Sequence, residues 1–172
     1  MRIGSGLLKG RLLNSPQGSA TRPTSDKVRA AVFSSLMDSV HGARFLDLFA
    51  GTGSVGIEAY SRGAAFVTFV DKHSKVLQTN AKLMPAGSYK IITSDIFTAR
   101  LVDSYDIIYA DPPYGVYGAD KIMDAVIPLM AEDAVFVLEE SVRTEIDTAA
   151  MPLALTKERR YGDTLITYWA LH

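Results

Sequence analysis

Phe45-Leu46-Asp47-Leu48-Phe49-Ala50-Gly51-Thr52-Gly53-Ser54-Val55-Gly56 runs from an apolar stretch into glycines spaced G-x-G-x-x-G. The apolar part reads as a buried strand and the part after the glycines as a helix. Glycines at this spacing permit a tight turn and let backbone approach a ligand at the helix N-terminus. Alone this is a weak signal, shared by dinucleotide enzymes and other nucleoside binders.

Outward from this stretch the pattern repeats. Short apolar runs at 44–48, 66–70, 89–93, 106–110 and 134–139 read as strands. Between them, 55–61, 74–83, a short piece at 96–101, and 119–130 read as helices. That rhythm predicts a doubly wound α/β fold, a mostly parallel sheet with helices on both faces. Near the end, 153–160 and 164–171 read as strands around Tyr161-Gly162-Asp163, a turn signal. This hairpin would add an antiparallel strand.

Before residue 44 the pattern changes. Residues 2–13 read as a small hairpin, and 14–25 as a Pro/Gly/Ser/Thr-rich loop. A helix is expected over 26–39, with Val28, Val32, Phe33, Leu36 and Met37 on its packed face. The chain is 172 residues long and is expected to form a single domain: an extension over 1–25 and a core over 26–172.

Composition excludes several classes. There are no cysteines, hence no disulfide, thiol catalysis or thiolate metal site. The histidines, His41, His73 and His172, lack ligand spacing, so no metal is expected. No apolar run reaches membrane-spanning length, and no apolar signal core opens the chain, so a cytoplasmic protein is expected. Residues 1–44 carry seven Lys/Arg against two Asp/Glu, and residues 45–172 eleven against seventeen. A basic arm on an acidic body points to an anionic partner such as nucleic acid, although ordinary solvated surface also explains it.

Asp111-Pro112-Pro113-Tyr114 carries the chemistry. It follows the strand at 106–110, and two prolines end a strand abruptly. The resulting stiff loop lies at the strand's carboxyl end, where open α/β sheets bind ligands. A carboxylate, a proline carbonyl and an aromatic ring together suit a planar ring bearing an NH2 group. Asp47, Asp71, Asp95 and Asp111 each sit at the carboxyl end of a predicted strand. Asp47, just before the glycines, would repel a pyrophosphate and welcome an ammonium or sulfonium. Asp71 can hold ribose hydroxyls. Asp95 can accept from an adenine amine with Ile96 packed on the ring, or can simply cap a helix.

The pair Asp-Leu-Phe-Ala-Gly-Thr-Gly (47–53) and Asp-Pro-Pro-Tyr (111–114) resembles class I S-adenosylmethionine-dependent methyltransferases that modify exocyclic amines. Lys9-Gly10-Arg11, Thr21-Arg22-Pro23-Thr24-Ser25-Asp26-Lys27-Val28-Arg29, Gly56-Ile57-Glu58-Ala59, Ser61-Arg62-Gly63-Ala64, Asn80 and Tyr161-Gly162-Asp163-Thr164 are similar to the RsmD family, bacterial 16S rRNA guanine-N2 methyltransferases. The resemblance implies a seven-stranded sheet, S-adenosyl-L-methionine as cofactor, and 16S rRNA or an assembling small ribosomal subunit as partner. It implies Asp47, Phe49, Gly51, Gly53, Asp71, Lys72, Asp95, Ile96, Arg22 and Thr24 at the cofactor. Asp111, Pro112, Pro113 and Tyr114 would hold the target base, and Lys9, Arg11, Arg22, Lys27 and Arg29 the RNA. Asp71 stands where many relatives have glutamate. Competing readings are adenine-N6 methylation of RNA or DNA, a nicotinamide-dependent oxidoreductase, and a non-catalytic RNA-binding module. A monomer is expected, and 115–118 are a candidate lid.

Overall fold

In the computed structural model, which describes residues 1–16 and 26–172, a seven-stranded sheet runs in the order β3-β2-β1-β4-β5-β7-β6. The strands are β1 (Arg44–Leu48), β2 (Phe66–Asp71), β3 (Tyr89–Thr93), β4 (Tyr105–Ala110), β5 (Met130–Ser141), β6 (Ala154–Tyr161) and β7 (Thr164–Ala170). β1 to β5 pair in parallel, and β7 lies antiparallel between β5 and β6. Strand order reverses between β1 and β4, which opens a crevice at their carboxyl ends.

Parallel strands are buried on both faces, so they read as continuous apolar runs rather than alternations. Helices α1 (Asp26–Leu36), α2 (Ser54–Ser61) and α3 (Lys75–Asn80) pack one face, where Phe33, Ile57 and Leu77 meet Phe45, Phe69 and Ile107. Helix α4 (Ala119–Val126) covers the other through Ile122, Met123 and Val126 against Leu46, Ile108 and Phe136. A register shift between Tyr105 and Ile107 turns Tyr105 toward the α4 layer.

Some sequence expectations need correction. Helix α1 stops at Leu36 and passes into a 3-10 turn, and Met37 adopts φ 47. Met37 is therefore 75% exposed rather than packed. Residues 96–101 form no helix: Asp95 accepts the Phe97, Thr98 and Ala99 amides and closes a single turn. β5 begins at Met130, because Met130 pairs with Tyr105, while Glu132 and Asp133 interrupt its apolar pattern. The expected hairpin at 2–13 reduces to one antiparallel bridge, Arg2 to Leu12.

This N-terminal segment is nonetheless anchored. The Gly4 amide donates to Glu58 (2.7 Å), Leu8 to Ser61 (2.8 Å) and Asn14 to Asn80 (2.8 Å). The Asn80 amide group donates in turn to the Asn14 carbonyl (3.0 Å) and the Thr52 carbonyl (2.8 Å). One buried side chain thus ties the arm to the glycine turn after β1. Among the described residues, no helix is long and apolar enough to cross a membrane.

Candidate active site

A cleft of about 1050 Å³ opens over the carboxyl ends of the strands. Its walls include Asp47 of β1 and Phe49–Thr52 beyond it, Asp71 of β2 and Lys72 beyond it, Ser94 and Ile96 after β3, and Asp111–Tyr114 after β4. Glu139 of β5 and Tyr161, Asp163 and Thr164 of the β6–β7 hairpin complete it.

The turn after β1 is tightly constrained. Phe49 adopts φ 57, an uncommon conformation for a residue with a side chain, and Gly51 and Gly53 follow at 56 and 80. Backbone held this way costs about 1–3 kcal/mol and persists where its surroundings over-determine it. The Ala50 amide donates to the Val70 carbonyl (3.1 Å), and the Gly53 amide to the Ala50 carbonyl (2.7 Å). A Cβ on Gly53 would lie 2.4 Å from Leu77, and one on Gly56 2.3 Å from Phe69. The second and third glycines therefore serve close packing of α2 against α3 and the sheet.

Asp47 is buried, and its carboxylate accepts the Gly56 amide at 2.8 Å. Desolvation pushes its pKa up to about 7, against the Gly56 hydrogen bond and with help from the nearby Asp71 charge. Asp71 uses both oxygens locally, accepting the Gly51 amide (2.8 Å) and the His73 amide (2.7 Å). It thereby braces the glycine turn from the neighbouring strand.

Asp95 follows β3 and is engaged locally. Its carboxylate ion-pairs with Lys72 at 2.8 Å and accepts the Phe97 amide at 2.9 Å. The Lys72 hydrogen bond holds its carboxyl below the ordinary value. The cleft wall at this strand end is Ser94 and Ile96 instead. Tyr117 packs near Phe49 and Phe97, with ring centroids 5.8 and 5.1 Å away. Lys121 covers Phe97 at 4.5 Å. The loop 115–118 is thus seated on an aromatic cluster.

On the β4 side, the Asp111 amide extends the ladder to the Leu48 carbonyl at 3.5 Å, and the prolines then end it. The Pro113 carbonyl accepts the Val116 amide (3.2 Å), which closes the loop. Tyr114 is 47% exposed. Partial burial, with the Glu139 and Asp111 charges nearby, pushes its phenol up to about 12 despite a Thr164 hydrogen bond. It stays protonated, a stacking ring and a hydrogen-bond donor.

Sequence reading missed Glu139, Tyr109 and Tyr117. Glu139 is buried and accepts hydrogen bonds from the Tyr109 hydroxyl and from the Tyr114 hydroxyl at 3.5 Å. An acid at the end of an apolar strand signalled Asp47, Asp71 and Asp111, and Glu139 has the same signature.

The basic residues divide. Lys9, Arg11 and Lys27 are exposed. Arg29 is not available to RNA: it is 2% exposed, 3.3 Å from Glu58 and 3.0 Å from Asp26. Its place on the packed face of α1 makes it an internal brace between α1 and α2. Arg22 and Thr24 lie outside the described residues.

Solved structures place this architecture among the class I methyltransferases. The chain superimposes on "Putative methyltransferase yhhF from Escherichia coli" with a TM-score of 0.86, 28% identity, and coverage of 99% of this chain and 98% of that one. A Haemophilus influenzae structure described as "putative methylase HI0767" gives a TM-score of 0.79 at 25% identity, covering 99% of this chain and 98% of that one. The chain belongs to the RsmD family of methyltransferases, since the family model described as Conserved hypothetical protein 95 matches residues 1–170. It is 33% identical to "Putative rRNA methyltransferase YlbH" of Bacillus subtilis over 175 residues, covering 95% of each chain. It is 30% identical to Ribosomal RNA small subunit methyltransferase D of Escherichia coli K12, covering 94% of this chain and 85% of that one.

Proposed function

We propose that this methyltransferase transfers a methyl group from S-adenosyl-L-methionine to the exocyclic N2 amine of a guanine in 16S rRNA. The observation that supports the reading is that Asp111-Pro112-Pro113-Tyr114 and the glycine turn, at the ends of the adjacent strands β4 and β1, line one cleft. At about 1050 Å³ the cleft is at the upper end of the roughly 300–1,000 Å³ of small-molecule sites, a size that suits a nucleoside cofactor. The residues present suit that cofactor: Asp47 for its ammonium, Asp71 for its ribose, and Phe49 and Ile96 for its adenine.

When bound, S-adenosylmethionine would supply an activated methyl group. The protein's part is to prepare the amine, a weak nucleophile because its lone pair is delocalised into the base. Asp111 and the Pro112 carbonyl would accept its two N–H bonds and favour a tetrahedral nitrogen. They would also stabilise the positive charge that develops there. As nitrogen gains the methyl it loses one proton, which a strongly acidic ammonium gives up without a strong base. Tyr114 would replace the stacking lost when the base leaves its helix, worth about 1–3 kcal/mol.

Adenine-N6 methylation uses the same tetrapeptide and is the competing reading. The oxidoreductase reading leaves Asp111–Tyr114 without a task. The basic arm, with Lys9, Arg11 and Lys27 exposed, would approach the RNA, and the proposed setting is a cytoplasmic monomer acting on free 16S rRNA or an assembling small subunit. The test is incubation with isotope-labelled S-adenosylmethionine and unmodified small subunits, followed by nucleoside analysis. Labelled N2-methylguanosine, absent with Asp111→Ala, is expected. Labelled N6-methyladenosine would overturn the guanine assignment, and absence of any label would overturn the ribosomal one.

A further inference from the structure

We propose that Glu139 reads ring N1 of the target base and selects guanine over other amine-bearing purines. This rests on the guanine-N2 reading above and identifies the residue that enforces it. The β4–β5 register pairs Ala110 with Leu138, so the next residues along, Asp111 and Glu139, stand side by side at the rim of the sheet. Glu139 is 3% exposed yet belongs to the cleft wall. Its carboxylate is oriented from two sides, by the Tyr109 hydroxyl on Oε2 and by the Tyr114 hydroxyl, 3.5 Å from Oε1. Burying a carboxylate is costly, and an ionised carboxylate only accepts hydrogen bonds. Each carboxylate oxygen can accept more than one hydrogen bond, so these contacts are compatible with a base at the same group.

The purine edges differ where Glu139 would meet them. Guanine presents an N1–H donor next to its N2 amine. Adenine presents a bare N1 acceptor next to its N6 amine. With the guanine amine held by Asp111 and the Pro112 carbonyl, its two flanking ring nitrogens are N1 and N3, and the N1 edge is the one proposed to face Glu139. A carboxylate there accepts from guanine N1–H and faces the lone pair of adenine N1, an unfavourable contact. The bland alternative is that Glu139 only braces Tyr109 and Tyr114, and the two roles separate on a single base analogue.

2-Aminopurine keeps the N2 amine but has a bare N1. The probe is the RNA segment carrying the mapped guanine, made with either guanine or 2-aminopurine at that position and assayed by methyl incorporation. The native protein should favour guanine in kcat/KM by about a hundredfold or more, as expected when a site accepts a hydrogen the analogue lacks. In Glu139→Gln the side-chain amide can donate to the bare N1, so the guanine-to-2-aminopurine ratio should fall at least tenfold. Tyr109→Phe, which only loosens the positioning of Glu139, should move the ratio the same way by less, and carries the test if Glu139→Gln does not fold. S-Adenosylmethionine binding and thermal melting report folding for both variants. An unchanged ratio, with both substrates losing rate equally, would overturn the proposal and leave Glu139 as a brace. A native protein that labels no guanine in unmodified small subunits would overturn the guanine-N2 reading itself, and this proposal with it.

Discussion

The two sides of the cleft are built to different standards. The β1 side is deep in the core: Asp47 is buried, Gly53 and Gly56 admit no Cβ, and Asp71 and Asn80 hold the turn through backbone bonds. The β4 side is a proline-stiffened loop ending in the half-exposed Tyr114. A diffusible ligand can be received by a preformed cradle, whereas a base arriving on a large RNA needs an open doorway. The proposed function puts cofactor binding on one side and chemistry on the other, and mutations should separate them.

The largest expected effect is on the open side. Asp111→Ala should lower methylation by about 10²–10³-fold or more, the usual loss when one group stabilising developing charge is removed. S-Adenosylmethionine affinity by calorimetry should stay within about twofold, and comparable loss of both would erase the division of labour. On the core side, Arg29→Ala should cost about 3 kcal/mol in urea unfolding, because it strands Glu58 in the interior. That value is the low end for a broken buried pair, since Arg62 (2.9 Å) and the Gly4 amide still bond Glu58. Gly53→Ala combines positive φ with a 2.4 Å contact to Leu77. It should cost about 1–3 kcal/mol and weaken cofactor binding more than the turnover of bound cofactor.

Asp47 gives the comparison a pH axis. Its pKa in the fold, about 7, lies above the ordinary 3.8. The neutral carboxyl is therefore preferred by the ligand-free fold, and that contribution to stability is complete below about pH 4 and lost as pH rises through 7. Asp47→Asn should remove this slope and stabilise the ligand-free protein at pH 8 by on the order of 1–3 kcal/mol. A cofactor ammonium favours the ionised form, so affinity should rise up to about tenfold per pH unit below 7 and level off above it. A pH-independent affinity in the native protein would remove Asp47 from the cofactor. The smallest effect is expected at the arm. Lys9→Ala should raise the KM for RNA about two- to fivefold and reduce the salt slope by about one, leaving cofactor affinity unchanged.

Much of this was legible in the residues. Buried parallel strands announce themselves as apolar runs, so β1 was read to the residue and β2 and β4 to within one; edge strand β3 and the β6–β7 hairpin, marked by Tyr161-Gly162-Asp163, were read as closely. Their acidic ends marked Asp47, Asp71 and Asp111 at the rim. Less legible were features set by partners distant in sequence. The ion pair between Asp95 and Lys72 was not visible locally, because β2 and β3 bring the two together from 23 residues apart. Arg29 looked like a phosphate contact because its charge is plain in the sequence, whereas Glu58, its partner, lies 29 residues away. Glu139 carried the same strand-end signature and was passed over; what the sequence did not show is that Tyr109 of the neighbouring strand would bond it.

The sequence by itself determined the order of strands and helices, the glycine turn, the proline-stopped loop and the family. These follow from backbone freedom and apolar periodicity, which act over a few residues. Only the tertiary structure decided which charges face the cleft and which are spent inside the protein. An ion's fate depends on desolvation and on partners brought close by folding, and neither is encoded in its near neighbours along the chain.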